Sequence, residues 1–192
     1  MRRKLPIGIQ TLHEIREEGY YYVDKTPFAL RLVQEGKYYF LSRPRRFGKS
    51  LFLDTLAELF QGNQALFKGL YAETRWDWSV RYPVMRISFA GGRLESRAQL
   101  DERIWELLDN HQRQLDLRCH HQSIPGCFAE LIELAHERYG QRIVILVDEY
   151  DKPILDNLTE QDIARAMREG LRNLYSVIKG QDAHVKFAFL TG

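Results

Sequence analysis

Cysteine is almost absent from this chain: Cys119 and Cys127 are the two it has in 192 residues. Two are too few for a disulfide framework, and they suit a reducing compartment. Long apolar runs are missing as well. No stretch approaches the roughly 18 residues that a membrane-spanning helix needs, which excludes one. The start, Met1-Arg2-Arg3-Lys4, carries the charge of a signal peptide's first segment. Pro6, Gly8, Gln10, His13 and Glu14 then interrupt any apolar core behind it, so the cytoplasm is the expected location. Charge of one sign is lacking too. With 28 basic against 26 acidic residues the net charge is +2, so a polybasic nucleic-acid binder is excluded as the whole account, while a local basic patch is not. There is no internal repeat, low-complexity tract or linker, so the length fits one domain.

What is present is a regular alternation. Thr26-Pro27 reads as a helix start, with Thr26 as N-cap and Gly36 as the stop. Residues 37–42, rich in aromatics, read as a strand and lead through a loop into a helix over 49–60. A second strand is expected over 82–89. A long helix follows from a capping box at Ser96 and Gln99 to about Leu117, and another runs from Pro125 to near Gly140. Ile143-Val144-Ile145-Leu146-Val147 is an unbroken apolar run, as in a strand buried on both faces of a parallel sheet. Thr159 caps a helix ending at Gly180, and residues 185–190 form the last strand. Strands separated by helices predict an α/β fold with a mainly parallel sheet.

The first chemical signal is Arg43-Pro44-Arg45-Arg46-Phe47-Gly48-Lys49-Ser50, set between a strand and a helix. A phosphate-binding P-loop reads Gly, four residues, then Gly-Lys-Ser/Thr. Here Arg43 replaces the first glycine. Gly48 allows close approach of backbone amides to phosphate, and the helix start at Lys49 directs free N–H groups at it. The candidate nucleotide-binding residues are therefore Arg45, Arg46, Phe47, Gly48, Lys49, Ser50 and Leu51. Lys49 would neutralise the outer phosphates, and the Ser50 hydroxyl would ligate Mg²⁺. Pro44 offers no N–H, and Arg43, Arg45 and Arg46 make the loop unusually basic.

About a hundred residues on, the buried strand ends in Asp148-Glu149. Carboxylates at the carboxyl end of such a strand stand where open α/β sheets bind ligands. Paired with a P-loop, Asp148 is the candidate Mg²⁺ ligand and Glu149 the candidate general base. An intervening strand and the Glu beside the Asp point to the branch of P-loop proteins with an extra strand between the P-loop strand and the acidic one. There the next strand often ends in a polar group sensing the γ-phosphate, which makes Thr191 the third catalytic candidate.

These residues, with Leu5-Pro6-Ile7-Gly8-Ile9, Tyr22-Val23-Asp24-Lys25-Thr26, Tyr39 to Leu51, Val147 to Pro153 and Phe189-Leu190-Thr191-Gly192, resemble the predicted AAA-ATPase-like family of bacteria and archaea. The basic P-loop lacking its first glycine is typical of that group. The resemblance implies ATP and Mg²⁺ as ligands, slow ATP hydrolysis, and a three-layer P-loop sandwich. Family members commonly carry a C-terminal nuclease-like region, for which 192 residues leave no room. In an AAA-like sheet the P-loop strand lies between the sensor strand and a fifth strand. The sequence stops at the sensor strand, so the expectation is an incomplete core over 37–192 behind an N-terminal extension over 1–36, truncated after the sensor strand. The P-loop strand would then have an open edge, for a partner or a second copy of the chain to cover.

Other features have plainer readings. Tyr20, Tyr21, Tyr22, Tyr38 and Tyr39 are expected to pack around element ends rather than stack on a base. Asp24-Lys25-Thr26 reads as helix initiation, with a nucleotide role as the alternative, and Asp151 with Lys152 as a local ion pair, with orientation of a substrate or partner as the alternative. Cys119-His120-His121 with Cys127 offers metal-ligand types at a spacing that matches no usual zinc pattern. Three functions compete: Mg²⁺-dependent ATP hydrolysis, an ATP-binding switch without turnover, and a regulator associated with nucleic acid. No guanine-reading Asn-Lys-x-Asp motif is apparent, which leans towards ATP.

Overall fold

Every residue from Ile143 to Val147 is fully buried, because this strand lies inside the sheet and is covered on both faces. The computed structural model describes residues 4–44 and 46–192. Its strands are β1 (Tyr38–Leu41), β2 (Val84–Ser88), β3 (Ile143–Asp148) and β4 (Val185–Thr191). They form one parallel sheet in the order β1-β4-β3-β2. The helices are α1 (Leu12–Glu17), α2 (Thr26–Glu35), α3 (Lys49–Phe60), α4 (Arg97–Leu115), α5 (Ile124–Tyr139), α6 (Lys152–Leu155) and α7 (Gln161–Gly180). Short 3₁₀ turns occupy Gln64–Phe67, Tyr71–Thr74 and Asp182–His184.

Strand alternation divides the core into two layers. Met85, Ile87, Ile145, Val147 and Ala188 pack beneath α4, α5 and α7. Val84, Val144, Leu146, Phe187 and Phe189 pack beneath α3, which is in turn covered by α1, α2 and the first two 3₁₀ turns. The result is the expected three-layer α/β sandwich. The extra strand between the P-loop strand and the acidic strand is β4, the last in sequence. The strand that intervenes in sequence, β2, lies on the far side of β3. Among the described residues β1 pairs with β4 alone, so its outer edge is open.

Several boundaries differ from expectation. Lys25, not Thr26, is the N-cap of α2. The Thr26 hydroxyl is instead engaged, donating to Asp24 Oδ1 at 2.7 Å and accepting from the Ala72 amide at 3.0 Å. Ser123 caps α5 by accepting from the Gly126 amide, so the helix opens just ahead of Pro125. Glu160 rather than Thr159 precedes α7. The Ser96 cap of α4 is as expected: its hydroxyl accepts from the Gln99 amide, while the Gln99 side chain accepts from the Glu95 amide. Helix α1 and the 3₁₀ turns carry too short a periodicity to have been anticipated.

The two cysteines overturn the thiol reading. Cys119 and Cys127 are joined in a disulfide, with Cα atoms 5.3 Å apart. Cys127 is fully buried in α5, and the segment ahead of that helix folds back to bring Cys119 against it. Disulfides persist in oxidising surroundings, so the cysteine count does not support a reducing compartment. The intervening imidazole of His120 pairs with Glu130, whose carboxylate also accepts from the His120 and His121 amides. Those contacts hold the Glu130 carboxyl down to about 2, with the His120 side chain the largest cause. Among the described residues, no helix is long and apolar enough to cross a membrane.

Candidate functional site

The site begins with a row of residues across the carboxyl edge of the sheet. Leu41 lies opposite Thr191, Thr191 opposite Asp148, and Asp148 opposite Ser88. Adjacent strands are about 4.8 Å apart, so these positions are near neighbours. Asp148 shares strand parity with Val144 and Leu146, and Thr191 with Phe187 and Phe189, so both belong to the α3 face. The loop between β1 and α3 leaves the sheet at the end of this row and returns into α3 on the same face.

Gly48 makes that return. Its φ is +75°, in the left-handed region open to glycine, and it is the N-cap of α3. A cap without a side chain makes no hydrogen bond to the helix start, and the amides of Lys49, Ser50 and Leu51 are left without intrahelical acceptors. That arrangement suits an anion. Lys49, in the first turn, donates to the carbonyl of Arg43 at 2.7 Å and of Pro44 at 3.1 Å. Its ammonium therefore lies across the inside of the loop, with a third N–H to spend. Arg46 adds a second left-handed residue, with φ +68°, and Phe47 is exposed. Arg45 lies outside the described residues.

The acidic end is equally specific. The Glu149 amide donates to Asp148 Oδ1 at 3.0 Å, and Glu149 itself has φ +50°. A left-handed glutamate lacks the short polar side chain that makes this conformation tolerable for Asn or Asp. Such strain concentrates at functional sites. Both carboxylates are half-buried. Thr191 is fully buried, and its hydroxyl has no partner among the described residues. Its backbone is fixed by the Tyr150 amide, which donates to the Thr191 carbonyl. Gly192 then passes so close to Tyr150 and Asp151 that a Cβ there would come within 2.3 Å of Asp151 Oδ1.

Among the described residues no group of three or more His, Cys, Asp or Glu side chains could hold a metal ion. That is compatible with magnesium, which binds through one or two protein oxygens together with waters and substrate phosphates. Asp148 has one oxygen uncommitted to Glu149, and Ser50 contributes a hydroxyl from the first turn of α3.

One residue at the site was read from the sequence chiefly as helix initiation, with a nucleotide role as the alternative. Lys25, at the start of α2, sends its ammonium to the loop: a Cβ on Gly48 would lie 3.4 Å from Lys25 Nζ. No spacing rule links residue 25 to a loop more than twenty residues away.

A parallel β1-β4-β3-β2 sheet with a basic loop and a left-handed Gly48 after β1 and acids after β3 is the architecture of a P-loop-like α/β domain. The family described as Predicted AAA-ATPase matches residues 6–192, and the chain belongs to it. The chain is also 62% identical, over its whole length, to the "Uncharacterized protein in vnfD 5'region" of Azotobacter chroococcum mcd 1. It spans 37% of that relative's length. No solved structure gives a significant match.

Proposed function

We propose that this domain binds ATP with Mg²⁺ between the P-loop and the end of β3, and hydrolyses it. The observation carrying this reading is the abutment of three unusual features at one sheet edge. They are an uncapped α3 N-terminus behind a left-handed Gly48, a strained Glu149 after Asp148, and the unpartnered Thr191 hydroxyl between the two strands. Family membership supports ATP as the nucleotide.

In this reading the amides of Lys49, Ser50 and Leu51 cradle phosphate, and Arg46 and Phe47 flank it. Lys49 supplies a fixed positive charge to the outer phosphates. Ser50 and Asp148 would hold the Mg²⁺, whose chemistry is to neutralise and bridge phosphate oxygens. Glu149 accepts a proton from the attacking water, and Thr191 orients that water or the γ-phosphate. A cytoplasmic location is proposed on the ground of ATP as the ligand, not on the cysteines, which form a disulfide.

The test is Mg-ATP binding and turnover by the unmodified chain, Lys49→Ala and Glu149→Gln. Lys49→Ala should weaken binding. Glu149→Gln should keep it while turnover falls about 10²–10⁴-fold. Binding without turnover in the unmodified chain would replace the enzyme with an ATP switch. No nucleotide binding by a demonstrably folded chain would overturn the proposal.

A further inference from the structure

We infer that Lys25 is a second phosphate-binding cation of this site, delivered to the P-loop from outside the loop-and-helix motif. The inference rests on the nucleotide reading above.

The hydrogen bonds around Lys25 account for its neighbours but leave its own ammonium free to face the loop. Three hydrogen bonds hold Asp24 to its surroundings. Thr26 donates to Asp24 Oδ1 through its amide at 2.8 Å and its hydroxyl at 2.7 Å, and the Tyr71 amide donates to Oδ2 at 2.7 Å. The Ala72 amide then donates to the Thr26 hydroxyl. This corner is thus tied to the 71–74 turn from both sides of Lys25, which fixes where residue 25 stands. Its carboxylate neighbour is committed to those donors. The Lys25 ammonium meets Gly48 instead, with no ion-pair partner among the described residues.

The charges around it make an anion the fitting partner. Arg43, Arg46 and Lys49 belong to the same loop, and no acid forms an ion pair with any of them among the described residues. Lys49 already spends two of its N–H groups on the carbonyls of Arg43 and Pro44. A second ammonium beside Gly48 supplies donors and charge in addition to those of the loop's own lysine. A phosphate chain suits that set of cations, whereas a neutral group would leave their charge uncompensated.

The experiment compares the full chain with Lys25→Met, which keeps the length of the side chain, and Lys25→Arg, which keeps the charge. Each is titrated with Mg-ATP and with inorganic tripolyphosphate, at low and high salt. Lys25→Met should weaken both ligands by a similar factor, about ten- to a hundredfold, as expected for losing a charge-assisted hydrogen bond. Its affinity should also depend less on salt, and its thermal midpoint should not change. Lys25→Arg should recover most of the loss. Unchanged ATP affinity in Lys25→Met, alongside lost binding in Lys49→Ala, would overturn this assignment and leave the nucleotide reading standing. Loss for ATP but not tripolyphosphate would place Lys25 away from the phosphates and also overturn it. If the unmodified chain binds neither ligand, both readings fall together.

Discussion

Asp54 and Asp148 are two aspartates on the same α3 side of the sheet, and they are treated in opposite ways. Asp54 is 2% exposed and both of its oxygens are matched: Arg86 donates to Oδ1 and the Leu12 amide to Oδ2, each at 2.6 Å. It joins α1, α3 and β2 in one contact. Asp148 stands half-buried at a strand end, its carboxylate bonded to the next amide alone among the described residues, beside a strained Glu149 and an orphaned Thr191 hydroxyl. The same side chain is therefore used once for cohesion and once left with an oxygen uncommitted, where we propose it serves chemistry. Completeness of its hydrogen bonding, not burial by itself, separates the two uses.

The largest expected effect tests that division directly. Asp54→Ala leaves Arg86 and the buried Leu12 amide without their acceptor. It should cost about 2–4 kcal/mol in urea unfolding, below the upper range for buried pairs because Arg86 is partly in solvent. Asp148→Asn keeps the volume and should alter stability by no more than about 0.5 kcal/mol, while abolishing turnover. Equal destabilisation by the two changes would erase the distinction between them.

The sequence made these two aspartates unequal to a reader in advance. Asp148 was legible because it follows an apolar run whose end must lie at a sheet edge, and because Gly48-Lys49-Ser50 supplies its counterpart. The mainly parallel α/β sheet followed from the alternation of strands and helices, whereas the strand order and the three layers came from the family resemblance. Asp54 was not legible: it lies inside an amphipathic helix, and its partners come from 42 residues before it and 32 after. Lys25 was visible only as part of the Asp24-Lys25-Thr26 stretch, because its tertiary approach to Gly48 does not follow from spacing. The disulfide was missed because eight residues of separation say nothing until the segment is seen folding back on α5.

A smaller effect sharpens the comparison from the other side. The Thr191 hydroxyl is buried without a partner among the described residues, a state that costs about 1–3 kcal/mol relative to a matched group. Thr191→Val keeps the β-branched shape that suits β4 and removes the unmatched oxygen. The folded chain should gain about 1 kcal/mol, a rise of about 2–4 °C in thermal midpoint for a domain of this size, while ATP turnover falls. A destabilised Thr191→Val would mean that the hydroxyl is satisfied within the fold, and the case for it as a sensor of nucleotide would go with it.

The smallest effect concerns the backbone of Glu149. Its φ of +50° costs a residue of this kind about 1–2 kcal/mol, and glycine adopts the same conformation without that penalty. Glycine also gives the unfolded chain more freedom, which cancels part of the gain, so Glu149→Gly should stabilise by about 0.5–1 kcal/mol. Asp116 provides the internal control. It has φ +49° at the end of α4, yet aspartate tolerates that region better, and its carboxylate also pairs with Arg138. Asp116→Gly should therefore gain less than Glu149→Gly, or lose stability. If the order is reversed, the Glu149 side chain is holding the fold together, and its left-handed backbone is no sign of a site that trades stability for chemistry. If the order holds, stability rises when the carboxylate is removed and turnover disappears with it, which is how a residue retained for its chemistry rather than for the fold behaves.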